Sequence, residues 1–334
     1  MDIRKISNWS ELVPAEWIDR IRRCEERNVD PTPLKRQCYY SAEESLPQPP
    51  GFSENPLAEN GIGASNGAAH ESENTSILLK KYAGRSLILT QAGCEIHCRF
   101  CFRRHTHPRN SDPNAPLNAY PSQLRQTLKN DPDSPTVPFR DAVQRIASDP
   151  DCREVILSGG DPFVQSESLL SEEYRLLAAV AHVRRVRIHT RVPVIAPLHT
   201  PDPTLFRRVA PQLTTIVVLH VNHPLEIAQE YGERPAQAIA AIIDAGIPVL
   251  SQTTLLRGVN DSADVLTELM ERLVDLRVIP YYLHQLDRVY GAAHFEVPVE
   301  QGLRIIHTLR VRLPGYAVPR YVREIPEQPY KTPL

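Results

Sequence analysis

Cys94, Cys98 and Cys101 stand in GCEIHCRFCFRR with the spacing C-x3-C-x2-C. Three thiolates so placed can each ligate one iron of a [4Fe–4S] cluster, which leaves the fourth iron without a protein ligand. An open iron suits chelation by the amino and carboxylate groups of S-adenosylmethionine (SAM). Electron transfer from the cluster would then split the sulfonium to a 5′-deoxyadenosyl radical, the hard chemistry residing in the cofactors. The competing readings are a zinc knuckle that borrows His97 or His105, and thiols that simply pack. Structural zinc usually pairs its ligands as C-x2-C with a second, distant pair, and the sequence has no such second pair.

Other residues could do chemistry with this centre. Ser158-Gly159-Gly160-Asp161-Pro162 carries two adjacent glycines, where backbone can approach a ligand closely and bind an ammonium or carboxylate. Only six of the 38 basic residues are lysines (5, 35, 80, 81, 129 and 331), so each lysine carries more information than usual. Lys331 lies in the tail PEQPYKTPL, and Asp287 ends PYYLHQLD. Taken alone, the lysine reads as a solvated charge and the aspartate as a cap or surface ion pair. His220 and His223 of HVNHP are either core histidines or ligand-facing ones.

These residues need elements to hold them. Short β-branched runs at 85–90, 153–158, 184–189, 214–220, 247–254 and 278–284 alternate with helical patterns at 139–148, 168–181, 203–210, 234–245, 262–276 and 298–311. Strand–helix alternation predicts parallel strands with right-handed crossovers. Six units make an α/β fold with an open, partial (βα)6 barrel, and sites in such sheets gather at the C-terminal ends of the strands. The triplet follows the first of these strands, SGGDP the second and HVNHP the fourth. Residues 9–28 predict a helix with Ser10 as N-cap and Trp17, Ile18 and Ile21 on one face. Residues 47–76, rich in Pro, Gly, Asn and Ser, predict an irregular surface crossing. The organisation expected is an N-terminal helical and irregular extension (1–76), the partial barrel (77–297), and a C-terminal helix and tail (298–334).

With 334 residues, 41% of them hydrophobic, the chain can bury a full core, and a net charge of −2 suggests neither a nucleic-acid nor a membrane surface. No stretch approaches about 18 uninterrupted apolar residues, and the N-terminus lacks a signal-peptide core. The remaining cysteines, Cys24, Cys38 and Cys152, are scattered without framework spacing, which points to the reducing cytoplasm.

Together the motifs resemble the lysine 2,3-aminomutase family of radical-SAM, pyridoxal-phosphate (PLP) enzymes. The resemblance spans roughly residues 77–334 and is carried by KYAGRSLIL, the Cys triplet with its following Phe-Arg-Arg, SGGDP, RIHTRVPV, HVNHP, SQTTLLRGVND, PYYLHQLD, HF and KTP. The short KTPL tail is most similar to the stand-alone bacterial branch that supplies β-lysine for elongation factor P. The resemblance implies that Lys331 is the Schiff-base lysine, with Tyr82 and Arg85 holding the PLP ring and phosphate. It implies SAM contacts from Ser158, Gly159, Gly160, Asp161 and Gln252, with Asn222, His223 and Arg257 in segments nearby. Arg103 would clamp the substrate carboxylate, its neighbour Arg104 being either solvated or phosphate-facing. Asp287, and with it Glu324, would receive the substrate ε-ammonium.

Three departures stand out. Glu324 replaces the family's second aspartate, seven residues before the lysine. Pro326-Glu327-Gln328-Pro329-Tyr330 replaces a glycine-rich run. The chain stops at Leu334 without the Cys-rich zinc extension of the catabolic enzymes, and Ser262 stands at one zinc-ligand position; no structural zinc and a different homo-oligomer contact are therefore expected. The function implied is conversion of L-lysine to β-lysine, handed on to an elongation factor P ligase. The alternatives are a 2,3-aminomutase acting on another amino acid, and a non-catalytic Fe–S module. Iron and sulfide analysis of anaerobically reconstituted protein is expected to give about four of each per chain. Cys98→Ser should abolish SAM cleavage while serine at Cys24, Cys38 or Cys152 leaves it intact; native cleavage in Cys98→Ser would refute the ligand assignment.

Overall fold

A computed structural model describes residues 9–59, 77–91, 93–105, 137–326 and 328–334. Its centre is a nine-stranded sheet in simple sequential order. The strands are β1 (Leu78–Tyr82), β2 (Arg85–Gln91), β3 (Glu154–Gly159), β4 (Arg185–Thr190), β5 (Thr214–His220), β6 (Val249–Thr254), β7 (Ile279–His284), β8 (Arg320–Arg323) and β9 (Thr332–Pro333). Strands β2 to β8 pair parallel throughout, with registers such as Val155↔Val186 and His220↔Gln252. The two outermost strands, β1 and β9, run antiparallel to their neighbours.

All six strands expected from the sequence are present. Three further ones, β1, β8 and β9, are too short or too polar to carry a clear period-2 signal. Helices cross between the parallel strands: α1 (Ala15–Glu26) and α2 (Thr32–Arg36) precede the sheet, and α3 (Val137–Ala147), α4 (Glu167–Ala178), α5 (Val192–Ile195), α6 (Thr204–Val209), α7 (Arg234–Asp244), α8 (Ala263–Asp275) and α9 (Val299–Arg312) follow β2 onward. In α8 the buried Leu266, Leu269, Met270 and Leu273 recur at helical spacing, and Ser262 caps it by accepting from the Val265 N–H at 3.2 Å.

The N-terminal reading needs correction in two places. Helix α1 begins after Pro14, and the Ser10 side chain instead meets His97 Nδ1 at 3.3 Å. Trp17 and Ile21 are buried as expected, but Ile18 is 47% exposed, because only the 17/21/24 stripe faces the barrel. That stripe joins the same core as the barrel strands. The glycine-rich stretch at 60–76 and Glu327 lie outside the described residues.

One close approach sets where the C-terminal strands sit. Gly302 in α9 lies so near Tyr321 on β8 that a Cβ there would overlap the tyrosine hydroxyl, which itself donates to Gln285 Oε1. Gly302→Ala is expected to cost about 1–3 kcal/mol, read as a lower melting temperature. Adding Tyr321→Phe, which removes the overlapped hydroxyl, should recover part of the loss.

Candidate active site

The C-terminal ends of β2 to β7 open into a cavity of about 620 Å³. Its lining includes Cys94, Cys98, Cys101, Arg103, Ser158, Gly159, Gly160, Asp161 and Gln252 on one side, and Tyr82, Arg85, Asp287, Glu324 and Lys331 on the other. Every residue singled out above as a direct contact therefore faces one space. The Cys triplet and Lys331, more than 200 positions apart in sequence, face the same space because the sheet curls.

The Cys loop follows β2 and is tied down by the N-terminal extension. Trp9 Nε1 donates to the Cys98 carbonyl at 3.2 Å, and the Arg99 N–H donates to the Gln37 carbonyl at 2.9 Å. The Arg99 and Arg104 guanidinium groups both bind the buried Glu44 carboxylate, at 2.6–2.7 Å. Arg104 is thus neither solvated nor phosphate-facing; its charge is spent inside the protein. Burial pushes the Cys94 thiol well above its usual range and Cys101 up to about 11, a cost that bound iron removes by taking them as thiolates. Of the histidines a zinc knuckle would borrow, His97 Nδ1 lies 2.7 Å from the Ser10 carbonyl, leaving its buried Nε2 unpartnered, and His105 Nε2 lies 2.9 Å from the Tyr290 carbonyl. Among the described residues no three His, Cys, Asp or Glu side chains converge as ligands of a single ion. The donor set fits a cluster spread over three separate thiolates.

Arg191, at the end of β4, donates to Cys98 Sγ at 2.9 Å and also binds Gln37 (2.6 Å) and Glu226 (3.1 Å). Sequence reasoning quoted its motif, RIHTRVPV, without singling it out. The Asp161 carboxylate accepts from Thr190 Oγ1 (2.7 Å) and from the backbone N–H groups of Phe163, Arg191 and Val192 (3.0, 2.6 and 3.2 Å). That side chain holds the β4–α5 turn, so the groups of SGGDP left for a ligand are chiefly backbone. Gln252 lines the cavity as expected. Asn222, His223 and Arg257 do not: Asn222 is fully buried and bonded to Gln37 and Thr254, His223 caps the turn at Leu225, and Arg257 is exposed. His220 lines the cavity, and burial with the Arg191 charge lowers it to about 3, so it is neutral.

At the other end Glu324, just past β8, receives the Lys331 and Lys81 ammonium groups and the Tyr82 hydroxyl. Burial alone would raise Glu324, but these partners, Lys331 foremost, hold it down at about 2. The Arg85 guanidinium stacks 4.8 Å from the Tyr82 ring centre, and its buried Nε lacks a partner. His189 and His284 also line the cavity with unpartnered Nε2 atoms, and burial drives both well below the usual imidazole range. An amine, a phenol, a guanidinium and unsatisfied ring nitrogens fit an aromatic aldehyde phosphate such as PLP. Lys81, His189 and His284 were not picked out from the sequence; the signal available was the scarcity of lysine and the inward parity of two strand positions.

Asp287 lines the cavity beside Lys331 and Glu324. Burial raises its carboxyl to about 7, offset in part by Lys331, and among the described residues no side chain pairs with it. Arg103 is held by Glu59 at 2.7 and 2.8 Å and also reaches Ser158 Oγ and the Gly159 carbonyl, at 3.3 and 3.1 Å.

Comparison with known proteins follows the same lines. The radical SAM superfamily profile matches residues 88–270. The L-lysine 2,3-aminomutase of Escherichia coli K12 is 36% identical over 96% of this chain and 82% of its own, and that of Haemophilus influenzae is 34% identical over 97% and 84%. SuiB of Streptococcus suis, solved with S-adenosylmethionine bound, superposes with a TM-score of 0.46 at 12% identity, covering 73% of this chain and 51% of its own.

Two amines meet Glu324, so the position of PLP is testable. Borohydride reduction of PLP-loaded protein followed by peptide mapping is expected to label Lys331 in the C-terminal peptide. A label on Lys81 would reverse the assignment of these neighbours.

Proposed function

The chain belongs to the L-lysine 2,3-aminomutase family of the radical SAM superfamily, and on that footing we propose that it converts L-lysine to β-lysine. When bound, the [4Fe–4S] cluster and SAM supply a carbon radical, and PLP carries the migrating amino group covalently. What supports the reading most is the single cavity that joins the Cys triplet to Lys331, with a cation and a free carboxylate in its lining.

The protein's own work is positioning. Arg103 takes the substrate carboxylate with its planar donors, and Asp287 takes the ε-ammonium, so the chain of lysine is stretched with Cβ exposed to the radical source. Lys331 is the residue that would hold PLP. Tyr82, Arg85 and Lys81 hold the cofactor's ring and phosphate. Ser158–Gly160 and Gln252 hold SAM, while Arg191 orients Cys98. Glu324, already neutralised by two lysines, serves the cofactor amine before it serves substrate. A glutamate-type substrate would bring an anion toward Asp287, which argues for a cationic side chain instead.

Cys24, Cys38 and Cys152 show no disulfide-framework spacing, and we place the chain in the reducing cytoplasm; among the described residues no helix is long and apolar enough to cross a membrane. Transfer of β-lysine to an elongation factor P ligase, and a homo-oligomer, belong to the same proposal.

The deciding experiment is anaerobic incubation of reconstituted protein with SAM, PLP, dithionite and L-lysine, followed by identification of the product; recovery of lysine alone would refute it. The carboxylate form of Asp287 is the one that binds an ammonium. With that group near 7, kcat/KM for lysine should fall up to about tenfold per unit as pH drops below it. Asp287→Asn should abolish that acid limb and raise KM roughly 10- to 100-fold, since a charge-assisted contact of about 1.5–3 kcal/mol is lost.

A further inference from the structure

Glu59 is the carboxylate that the sequence gave no reason to notice. It sits in the irregular N-terminal extension, yet its side chain lines the cavity and engages Arg103 with both oxygens, Oε2 to Nε at 2.7 Å and Oε1 to Nη2 at 2.8 Å. The pair is nearly dry, with side chains 9% and 14% exposed. This fork-to-fork arrangement is how a guanidinium grips any free carboxylate. Arg103 presents the same edge that an amino-acid carboxylate would need, because its remaining Nη1 is turned to Ser158 and Gly159.

The loop that delivers Glu59 is built for this placement. Ser53 forms a β-bridge to Val289, with the Ser53 N–H donating to Arg288 and its carbonyl accepting from Tyr290, both at 2.9 Å. Asp287 lies two residues before Val289, so the loop is anchored beside the other pole of the cavity. From that anchor the chain turns at Asn55, whose side chain accepts from the Glu59 N–H at 3.1 Å, and at Ala58, which takes a left-handed φ of +51°. Leu57 is buried and fixes the turn against the protein. Glu59 also adds negative charge near Asp287 and is among the causes that raise it.

We propose that Glu59 is an internal stand-in for the substrate α-carboxylate: an amino acid reaches Arg103 only by displacing it. Glu59 therefore sets the affinity for substrate and selects for ligands whose own carboxylate can compete for the guanidinium. In the filled site the displaced side chain turns away with its turn, and the substrate carboxylate takes over its charge beside Arg103. This rests on the lysine reading above.

Calorimetry on the holoprotein with cluster, SAM and PLP, without reductant, tests it with two ligands. L-Lysine carries the carboxylate, and cadaverine is the same molecule without it. Glu59→Gln should bind lysine roughly tenfold more tightly, because a neutral amide holds the guanidinium less strongly, and should change cadaverine affinity far less, since cadaverine brings no carboxylate to Arg103. In the unaltered protein, lysine should speed hydrogen exchange in the peptide ending at Glu59, and cadaverine should not; this arm needs no variant to fold. Lysine affinity unchanged or weakened by the substitution, or exchange in the Glu59 peptide slowed by lysine, would show a supporting role and overturn the proposal. Failure of both proteins to bind lysine at all would overturn the lysine reading and this inference with it.

Discussion

The Glu324 carboxylate joins the two ends of an open sheet. Strands β1 and β9 lie at opposite edges, and no backbone ladder links them among the described residues. Instead Lys81 and Tyr82 from β1, and Lys331 from the segment entering β9, all bind the one carboxylate past β8. Burying an acid is costly unless cations and donors surround it, and here the partners come from both edges. The same carboxylate thus closes the barrel's seam and gathers the groups proposed for PLP. Replacing it would leave two half-buried ammonium groups without their counter-charge, so position 324 tolerates either acid more readily than a neutral residue.

A second buried network performs the equivalent task at the cluster end. Arg191 links the Cys loop, Gln37 from the N-terminal extension and Glu226 beyond β5. Gln37 and Asn222 extend it, and Glu44 locks Arg99 and Arg104 beside it. Residues 9–45 are therefore part of the site's foundation. They fix the loop that carries the three thiols proposed for the cluster, and a loop alone would be too pliable to hold them in place.

The barrel was legible because parallel strands buried on both faces leave β-branched runs, and amphipathic helices leave a 3.6-residue stripe. Helix α8 and strand β5 emerged almost to the residue. The Cys triplet and Lys331 stood out in the sequence through spacing and rarity, and all four residues line the one cavity. What escaped notice obeys no period: β9 is two residues long, Glu59 sits in a turn, and Ser10 turned from helix cap to histidine partner because Pro14 begins the helix later. Asn222 and His223 misled in the other direction. Polar residues after a strand look ligand-facing, but here burial requires them to satisfy one another.

The connection from Glu324 to Lys331 carries a constraint of length. Arg323 pairs with Thr332 and Val322 with Pro333, so the last strand is held by a two-residue ladder, extended by the Leu334 N–H to the Tyr321 carbonyl at 3.0 Å. Because side chains alternate along a strand, a slip of one position turns every one of them to the opposite face. A single inserted or deleted residue between 325 and 330 would aim the amine out of the cavity with the rest of the fold intact. Composition is far freer, which explains how the run can hold two prolines at 326 and 329. Indels, not substitutions, are what this stretch of the gene cannot accept.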